Sequence, residues 1–513
     1  MANSIDIPIV SRLRAKCFDI EAGQNIVVFN DEEARQLDVG MTERVSIKRW
    51  DKEMVCIVDL SNTLVGNGEI GIFEDVSEKL GIRSGETVEV KSVNYPVSID
   101  YIKKKMDGRA LTREETNTIV SEMMENKLSA VELASFITST YIRGMSTDET
   151  VYLTEAIAAS GGQLNLGVHP VVDKHCSGGV AGNRTTMVLV PVIAAAGLYI
   201  PKTSSRSITS AAGTADSMEV LAPVTFGLEE TREIVLKTRG CIVWGGAINL
   251  AAADDKMIKV RHSMRLDPKG VLLSSILAKK KSVGAEYVVI DIPVGRGTKI
   301  EDLKEANALA RDFLEIGVKL GMKTECFITE GSDPIGEGIG PALECRDVLR
   351  SLRNEGPTDL TEKSCQLAGA LLELCGEVSV GRGMKVAMDL IRSGKAYAKM
   401  MEIVEAQGGD PKVRVDDLPI GGCRHAIKAM KGGRVEHVDN KLIAKIARAA
   451  GAPKDKGAGV VLRCEHGDKV RAGDVLFEII ACSESKLDFA IKMAEMTEPV
   501  ELQKVVLKTV REY

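Results

Sequence analysis

The sequence predicts an α/β core domain with a helical domain, a C-terminal α+β domain and an N-terminal β-rich barrel-like domain. Three observations carry that prediction. Short alternating apolar runs between turn residues fill residues 1–95. Helix-start signatures cluster from Ile99 to Ser160. From Gly167 to Val415, apolar strand-like runs alternate with helical stretches, the pattern of a largely parallel sheet. At 513 residues the chain has room for about three or four such domains.

In residues 1–95 the alternating runs include Gln24–Phe29 and Arg44–Ile47, and the module closes with "GIRSGETVEVKSV". Residues 96–165 form the helical domain. Thr112 with Glu115, Ser129 with Glu132 and Ser146 with Glu149 each have capping-box spacing, so three short helices are expected. Residues 166–420 form the α/β domain, with strands at Tyr287–Ile292 and Thr324–Ile328 and helices at Leu303–Leu320 and Ala342–Leu352. The glycine content of Gly331–Gly340 predicts a mobile loop. Residues 421–513 read as α+β, from "GDKVRAGDVLFEII" and a helix near Leu487–Met496. "VGRG" begins at Val294 and again at Val380; a repeat this short reflects turn chemistry rather than duplication.

Composition narrows the function. Aromatic residues make up 4% of the chain and the net charge is −6, with no basic stripe, which argues against nucleic acid as a partner. Met1–Arg14 has no basic segment leading into an apolar core, so no signal peptide is expected. No apolar run reaches the ~18 residues of a membrane span. Eleven cysteines without C-x-x-C spacing read as free thiols in a reducing cytoplasm. The histidines are scattered, so no metal site and no cofactor are expected.

"DKHCSGGVAGNRTT" (Asp173–Thr186) follows the strand-like run His169–Val172 and precedes the apolar helix-like run Met187–Ala196. A strand, a glycine turn and a helix start together make an anion cradle, because backbone N–H groups converge where no Cβ blocks approach. The turn is neither a Walker A loop nor a dinucleotide fingerprint. A second polar segment, "TSSRSITSAAGTADSME" (Thr203–Glu219), follows Ile200-Pro201. Two such loops after strands of one α/β unit point to a ligand at the carboxyl ends of the strands.

These two segments, with "SSILAKK", resemble the thymidine/pyrimidine nucleoside phosphorylase family from about Ile99 to the C-terminus. The N-terminal module, "SSRSIT" and "RHSMRLDPKG" are similar to the archaeal branch of that family that acts on AMP. The resemblance implies a cytoplasmic pentosyltransferase whose partners are a small-molecule nucleotide and phosphate. A nucleoside 5′-monophosphate and phosphate would give free base and ribose 1,5-bisphosphate, in nucleotide salvage or degradation. It also implies a helical domain facing the α/β domain across a cleft, with residues 253–281 returning to the helical domain, and a homodimer or larger homo-oligomer.

Residue by residue, the resemblance places Lys174, Cys176, Thr185, Ser204 and Thr214 on phosphate. Cys176 and Thr185 stand where serines are common in the nucleoside enzymes. It places Gly179, Ser205, Arg206, Ser207, Ile208, Thr209, Ser210, Thr214, Ser275 and Lys299 on the nucleotide. His175, Arg261 and Lys279 fall where the nucleoside enzymes hold the pyrimidine ring. Asp267 matches the proton donor to the leaving base. Taken alone, "LDPKG" around Asp267 reads as a turn and "AKKK" around Lys279 as a solvated helix end. A pyrimidine nucleoside phosphorylase, an anthranilate-type phosphoribosyltransferase and a non-enzymatic assembly protein are the competing readings. "SSRSIT" in place of a glycine-rich loop argues against the first.

Overall fold

The computed structural model describes residues 10–93 and 95–503. They form two compact units. One comprises the described residues up to Ser160 together with Ala251–Ser275; the other comprises Gly161–Leu250 and the described residues from Ile276.

The first unit opens with six strands: β1 (Val10–Phe18), β2 (Ile26–Phe29), β3 (Arg44–Arg49), β4 (Lys52–Leu60), β5 (Glu69–Phe73) and β6 (Thr87–Ser92). They close into a barrel in the order β1-β5-β2-β4-β3-β6. Alternation sends Leu13, Val27, Phe29, Val45, Ile47, Val58, Ile70, Val88 and Val90 inward, which explains the period-two pattern of this segment. The β1–β5 and β2–β4 pairs are parallel and the remaining pairs antiparallel.

Four helices follow where three were expected: Ser98–Met106, Arg113–Met124, Ala130–Arg143 and Thr147–Ala159. The last three begin at the expected boxes, and both halves of each box form. The additional first helix has no side-chain cap, so it carries no comparable start signal. Helix Ala252–Met264 and the start of helix Lys269–Ser282 return to this unit.

The second unit contains β7 (Val172–Cys176), β8 (Ile200–Ser204), β9 (Gly240–Trp244), β10 (Tyr287–Val294) and β11 (Lys323–Glu330). β7 lies between β10 and the β8–β9 pair, in parallel register with β10 and bridged to β8 through Val171 and Tyr199. The strand before the glycine turn sits later than expected. It includes Asp173–Cys176, because β10 supplies a pairing edge along those residues. Helix Thr185–Ala195 follows the turn and is buried along nearly its whole length, so its apolar run needs no polar face.

The C-terminal region adds β13 (Cys423–Lys428), β14 (Gly433–Val438), β15 (Gly459–Leu462), β16 (Lys469–Val470), β17 (Val475–Ala481) and β18 (Val500–Leu502), numbered after β12 (Gly338–Ile339). Helix Asn440–Ala449 and helix Glu484–Glu495 pack on them around Ile443, Ile446, Phe477, Ile479 and Leu487. β12 lies inside the loop expected to be mobile and pairs with β15. That loop is fastened along its length. The Asp347 carboxylate accepts from Glu337 N at 2.8 Å and Gly338 N at 2.6 Å, and Ile335 N donates to Ala181 O at 3.0 Å.

Candidate active site

β7 delivers Asp173, Lys174, His175 and Cys176 to the carboxyl end of the sheet, and the chain then turns through Gly178 and Gly179. Their φ values are +89° and +99°, a region that favours glycine. A Cβ on Gly179 would stand 2.8 Å from Lys299 N and 2.9 Å from Thr298 Cα. Glycine is therefore required for the Thr298-Lys299 segment to lie against the turn. Lys299 itself is exposed.

Beneath the turn lie two buried carboxylates, each flanked by two lysines. Asp173 accepts from Lys280 Nζ at 2.6 Å and lies 3.5 Å from Lys202 Nζ. Asp291, on β10, lies 3.6 Å from Lys174 Nζ and 3.5 Å from Lys363 Nζ. Both aspartates are fully buried and no lysine of the four is more than 10% exposed. Burial alone would raise both carboxyl groups above their ordinary range. Lys202 and Lys280 reverse this at Asp173, and Lys174 and Lys363 reverse it at Asp291, so both stay low. Four lysines facing two carboxylates leave a positive excess that an anion can neutralise.

The neighbouring groups respond to that excess. Burial, then the charges of Lys280, Lys202, Lys174 and Lys299, hold His175 well below the ordinary histidine range, so its ring is neutral. Burial and the Asp291 charge push the Cys176 thiol up, so it is a thiol and not a thiolate. Cys176 Sγ accepts from Gly178 N at 3.4 Å, and Asn183 Nδ2 approaches it at 3.6 Å. Burial lowers Lys202 to about 7 against the attraction of Asp173. Thr185 Oγ1 accepts from Lys174 Nζ at 3.0 Å and donates to Asn183 Oδ1 at 2.9 Å. The buried hydroxyls of Ser177 and Ser204 have no hydrogen-bond partner, which is costly unless a ligand or water satisfies them.

The second polar loop leaves β8 at Ser204. Gly213 lets it close tightly: a Cβ there would meet Ser205 O at 2.5 Å. The Asp216 carboxylate accepts from Ser207 N at 2.7 Å and Gly213 N at 2.9 Å. Arg184 ties this loop to the glycine turn, donating to Ala212 O at 2.6 Å and to Thr214 Oγ1 at 3.4 Å while pairing with Glu344. Ser205, Ile208, Thr209 and Ser210 are exposed. Arg206 is engaged within the protein. Its guanidinium pairs with Glu219, with one contact at 2.7 Å, reaches Asp216 at 3.3 Å and stacks over Trp244 at 5.0 Å. It therefore shapes the loop through Glu219, rather than standing ready as an isolated cation.

The C-terminal domain fastens both loops. Asn440, 2% exposed, accepts from Ala181 N at 2.8 Å and donates to Gly331 O and Ser332 O. Arg448 donates to Ile208 O and Ser210 O at 3.1 Å each. Lys456 reaches Glu219 at 2.6 Å.

The structure thus gathers Lys174, His175, Cys176, Gly179, Thr185, the 204–210 segment, Thr214, Lys279 and Lys299 in one unit. Arg261, Asp267 and Ser275 belong to the other. There Arg261 donates to Asp267 at 2.6 Å, and Ser275 donates to Asp254 at 2.7 Å. In "AKKK" the buried lysine is Lys280, one residue beyond Lys279. Sequence reasoning missed Lys202, Lys280, Asp291 and Lys363. A charged residue inside the apolar strand Tyr287–Val294 was the available signal for Asp291, and Lys202 within Ile200–Ser204 was its counterpart.

Over 97% of its length the chain is 46% identical to AMP phosphorylase from Thermococcus kodakarensis, covering 99% of that protein. Over the same share it is 45% identical to AMP phosphorylase from Methanosarcina acetivorans, covering 98% of that protein. The chain belongs to the AMP phosphorylase family. Residues 99–161 match the helical bundle domain of the glycosyl transferase family and residues 168–397 its a/b domain. Residues 434–500 match the pyrimidine nucleoside phosphorylase C-terminal domain. Anthranilate phosphoribosyltransferase from Thermus thermophilus shares the fold at a TM-score of 0.52 and 21% identity, over 60% of this chain and 99% of that one. The match runs through the N-terminal barrel as well as the later domains. No described helix is long and apolar enough to cross a membrane.

Proposed function

We propose that the protein catalyses phosphorolysis of nucleoside 5′-monophosphates, converting AMP and phosphate to adenine and ribose 1,5-bisphosphate. The observation that carries this reading is the positive excess buried under the glycine turn, beside a loop of exposed hydroxyls tied to it by Arg184. In this reading Lys174, Cys176, Thr185, Ser204 and Thr214 hold inorganic phosphate, and Gly179, Ser205–Ser210, Thr214 and Lys299 hold the nucleotide.

A phosphate oxygen forms a bond to C1′ as the C1′–N9 bond breaks, through an oxocarbenium-like transition state. The electron pair of the broken bond goes to adenine, a poor leaving group as an anion. In this reading Asp267, exposed and paired with Arg261, leaves that arginine, takes up a proton from solvent and delivers it to the base. A positioned acid contributes about 10²–10⁴-fold.

Phosphate-dependent base release from AMP and from adenosine tests this reading. Strong preference for AMP is expected, and equal efficiency would favour the nucleoside phosphorylase alternative. Asp267→Asn should lower kcat by roughly 10²-fold or more with little change in AMP affinity. Lost affinity with turnover intact would make Asp267 a positioning residue.

A further inference from the structure

The Asp291 carboxylate is the meeting point of two lysines with different surroundings. Lys174 donates to Thr185 Oγ1 at the start of the helix behind the turn. Lys363 comes from the helix Thr358–Leu374, lies 3.5 Å from Asp291 Oδ1, and has a buried ammonium with no hydrogen-bond partner. Asp291 Oδ1 already accepts from Thr329 Oγ1 at 2.7 Å, and Asp291 Oδ2 has no hydrogen-bond partner. The same residue holds the turn through its backbone, since Ser177 N donates to Asp291 O at 2.9 Å. The Ser177 hydroxyl, next in the turn, is also buried and unpartnered.

Asp291 is a single negative charge between two cations. If Lys363 served only to neutralise Asp291, Lys174 would be superfluous for that purpose, and the ammonium would be expected to bond the carboxylate directly. Instead it pairs with Asp291 at 3.5 Å by charge alone, with its hydrogen-bonding capacity unused. A buried ammonium in that state calls for a further acceptor, an anion or ordered water. Buried charges act through a low dielectric, so a lysine near the turn influences an anion there without touching it.

We propose that Lys363 is a further positioning residue of the inorganic-phosphate site, its charge left in surplus over Asp291 so that the turn attracts phosphate. This rests on the reading that the glycine turn holds inorganic phosphate. Lys174 is then the lysine that touches the anion, and Lys363 sets the potential in which it is held.

The test uses the full-length protein and inorganic phosphate as the probe. Phosphate alone should raise the Tm of the unsubstituted protein, because a ligand that binds only the folded state stabilises it. In Lys363→Met this response should require about tenfold more phosphate. In steady state the KM for phosphate should rise by about the same factor, while the KM for AMP stays within about twofold. Lys363→Arg should restore phosphate affinity. The double variant Lys363→Met/Asp291→Asn removes one charge of each sign, restores the surplus, and should recover most of the loss. Should the folded Lys363→Met variant keep its phosphate response, or the KM values for phosphate and AMP rise together, the inference is overturned. If Lys363→Met fails to fold, the double variant decides: phosphate affinity near that of the unsubstituted protein supports the inference, and a tenfold loss overturns it. An unsubstituted protein that hydrolyses or ignores AMP but still binds phosphate would sink the phosphorolysis reading alone. One with no phosphate response would sink both.

Discussion

The two polar loops of the α/β unit are built on opposite plans. The glycine turn stands on buried charge of one dominant sign: Lys174, Lys202, Lys280 and Lys363 over Asp173 and Asp291. The hydroxyl loop stands on charge that cancels: the partly exposed Arg206, Lys456 and Glu219 with the buried Asp216. In the proposed reading, a surplus of buried cations selects by charge and serves free phosphate, which offers little else. A neutralised scaffold presenting Ser205, Ser207, Thr209 and Ser210 would then select by hydrogen-bond geometry, distinguishing the phosphoryl end of a nucleotide from a bare sugar hydroxyl. The two plans also differ in what they contribute to the fold, because breaking a buried ion pair is far more destabilising than breaking an exposed one.

The largest contrast is expected in catalysis. Lys174→Met should reduce kcat/KM by roughly 10³-fold, the range for losing a preorganised group that stabilises transition-state charge. Ser207→Ala should lose less than about tenfold, appearing in the KM for AMP. Similar losses for the two would remove the distinction. Stability should separate the loops next. Asp173→Asn strands Lys202 and Lys280 in the core and should cost about 3–5 kcal/mol in a urea titration. Glu219→Gln breaks a partly exposed network and should cost less than about 1 kcal/mol.

The pH response gives a finer test with opposite signs. Lys202 titrates near 7 in the folded protein, below its ordinary value of 10.5, because it is buried. Between those values only the unfolded chain holds the proton, so folding stability should rise with pH across this window. Phosphate affinity should fall over the same rise through about 7, as a cation is lost. Lys202→Met should flatten both trends, read from Tm and from phosphate titrations at matched ionic strength. At the hydroxyl loop, the Arg206 and Lys456 partners hold Glu219 down to about 2 from 4.5. Its contribution is present above about pH 4.5 and fades as pH falls through about 2, a small loss because solvent reaches the group. The smallest effect should come from Arg448→Ala. It frees Ile208 O and Ser210 O, and should raise the KM for AMP about two- to threefold with phosphate KM unchanged.

What could be read in the sequence follows the range of the signal. The three capping boxes are contained in four residues each, and all three form. The barrel pattern and the glycine turn are similarly local, so period and composition reveal them. The buried triads are different. Asp173, Lys202, Lys280, Asp291 and Lys363 come from separate elements and meet only once the parallel strands and two helices assemble. Around Lys280 the local text was misleading, since three consecutive lysines read as a solvated helix end while burial selects the middle one. Arg206 carries a second, longer-range relation. A lone cation in a hydroxyl-rich run reads as a ligand contact, and Asp216 and Glu219 later in the same segment also pair with it.

Asn440 has a consequence for how the protein is made. Its side chain joins Ala181 N to Gly331 O and Ser332 O, so two stretches of chain are fastened by a residue 259 positions after the first of them. A ribosome delivers the glycine turn long before it delivers that amide, and contacts so distant in sequence form late. Until then Ala181 N, Gly331 O and Ser332 O lack the side chain that joins them. Maturation of the turn is therefore timed by the arrival of the C-terminal domain, and a chain released before Asn440 would carry every residue of the turn without the fastening that completes it.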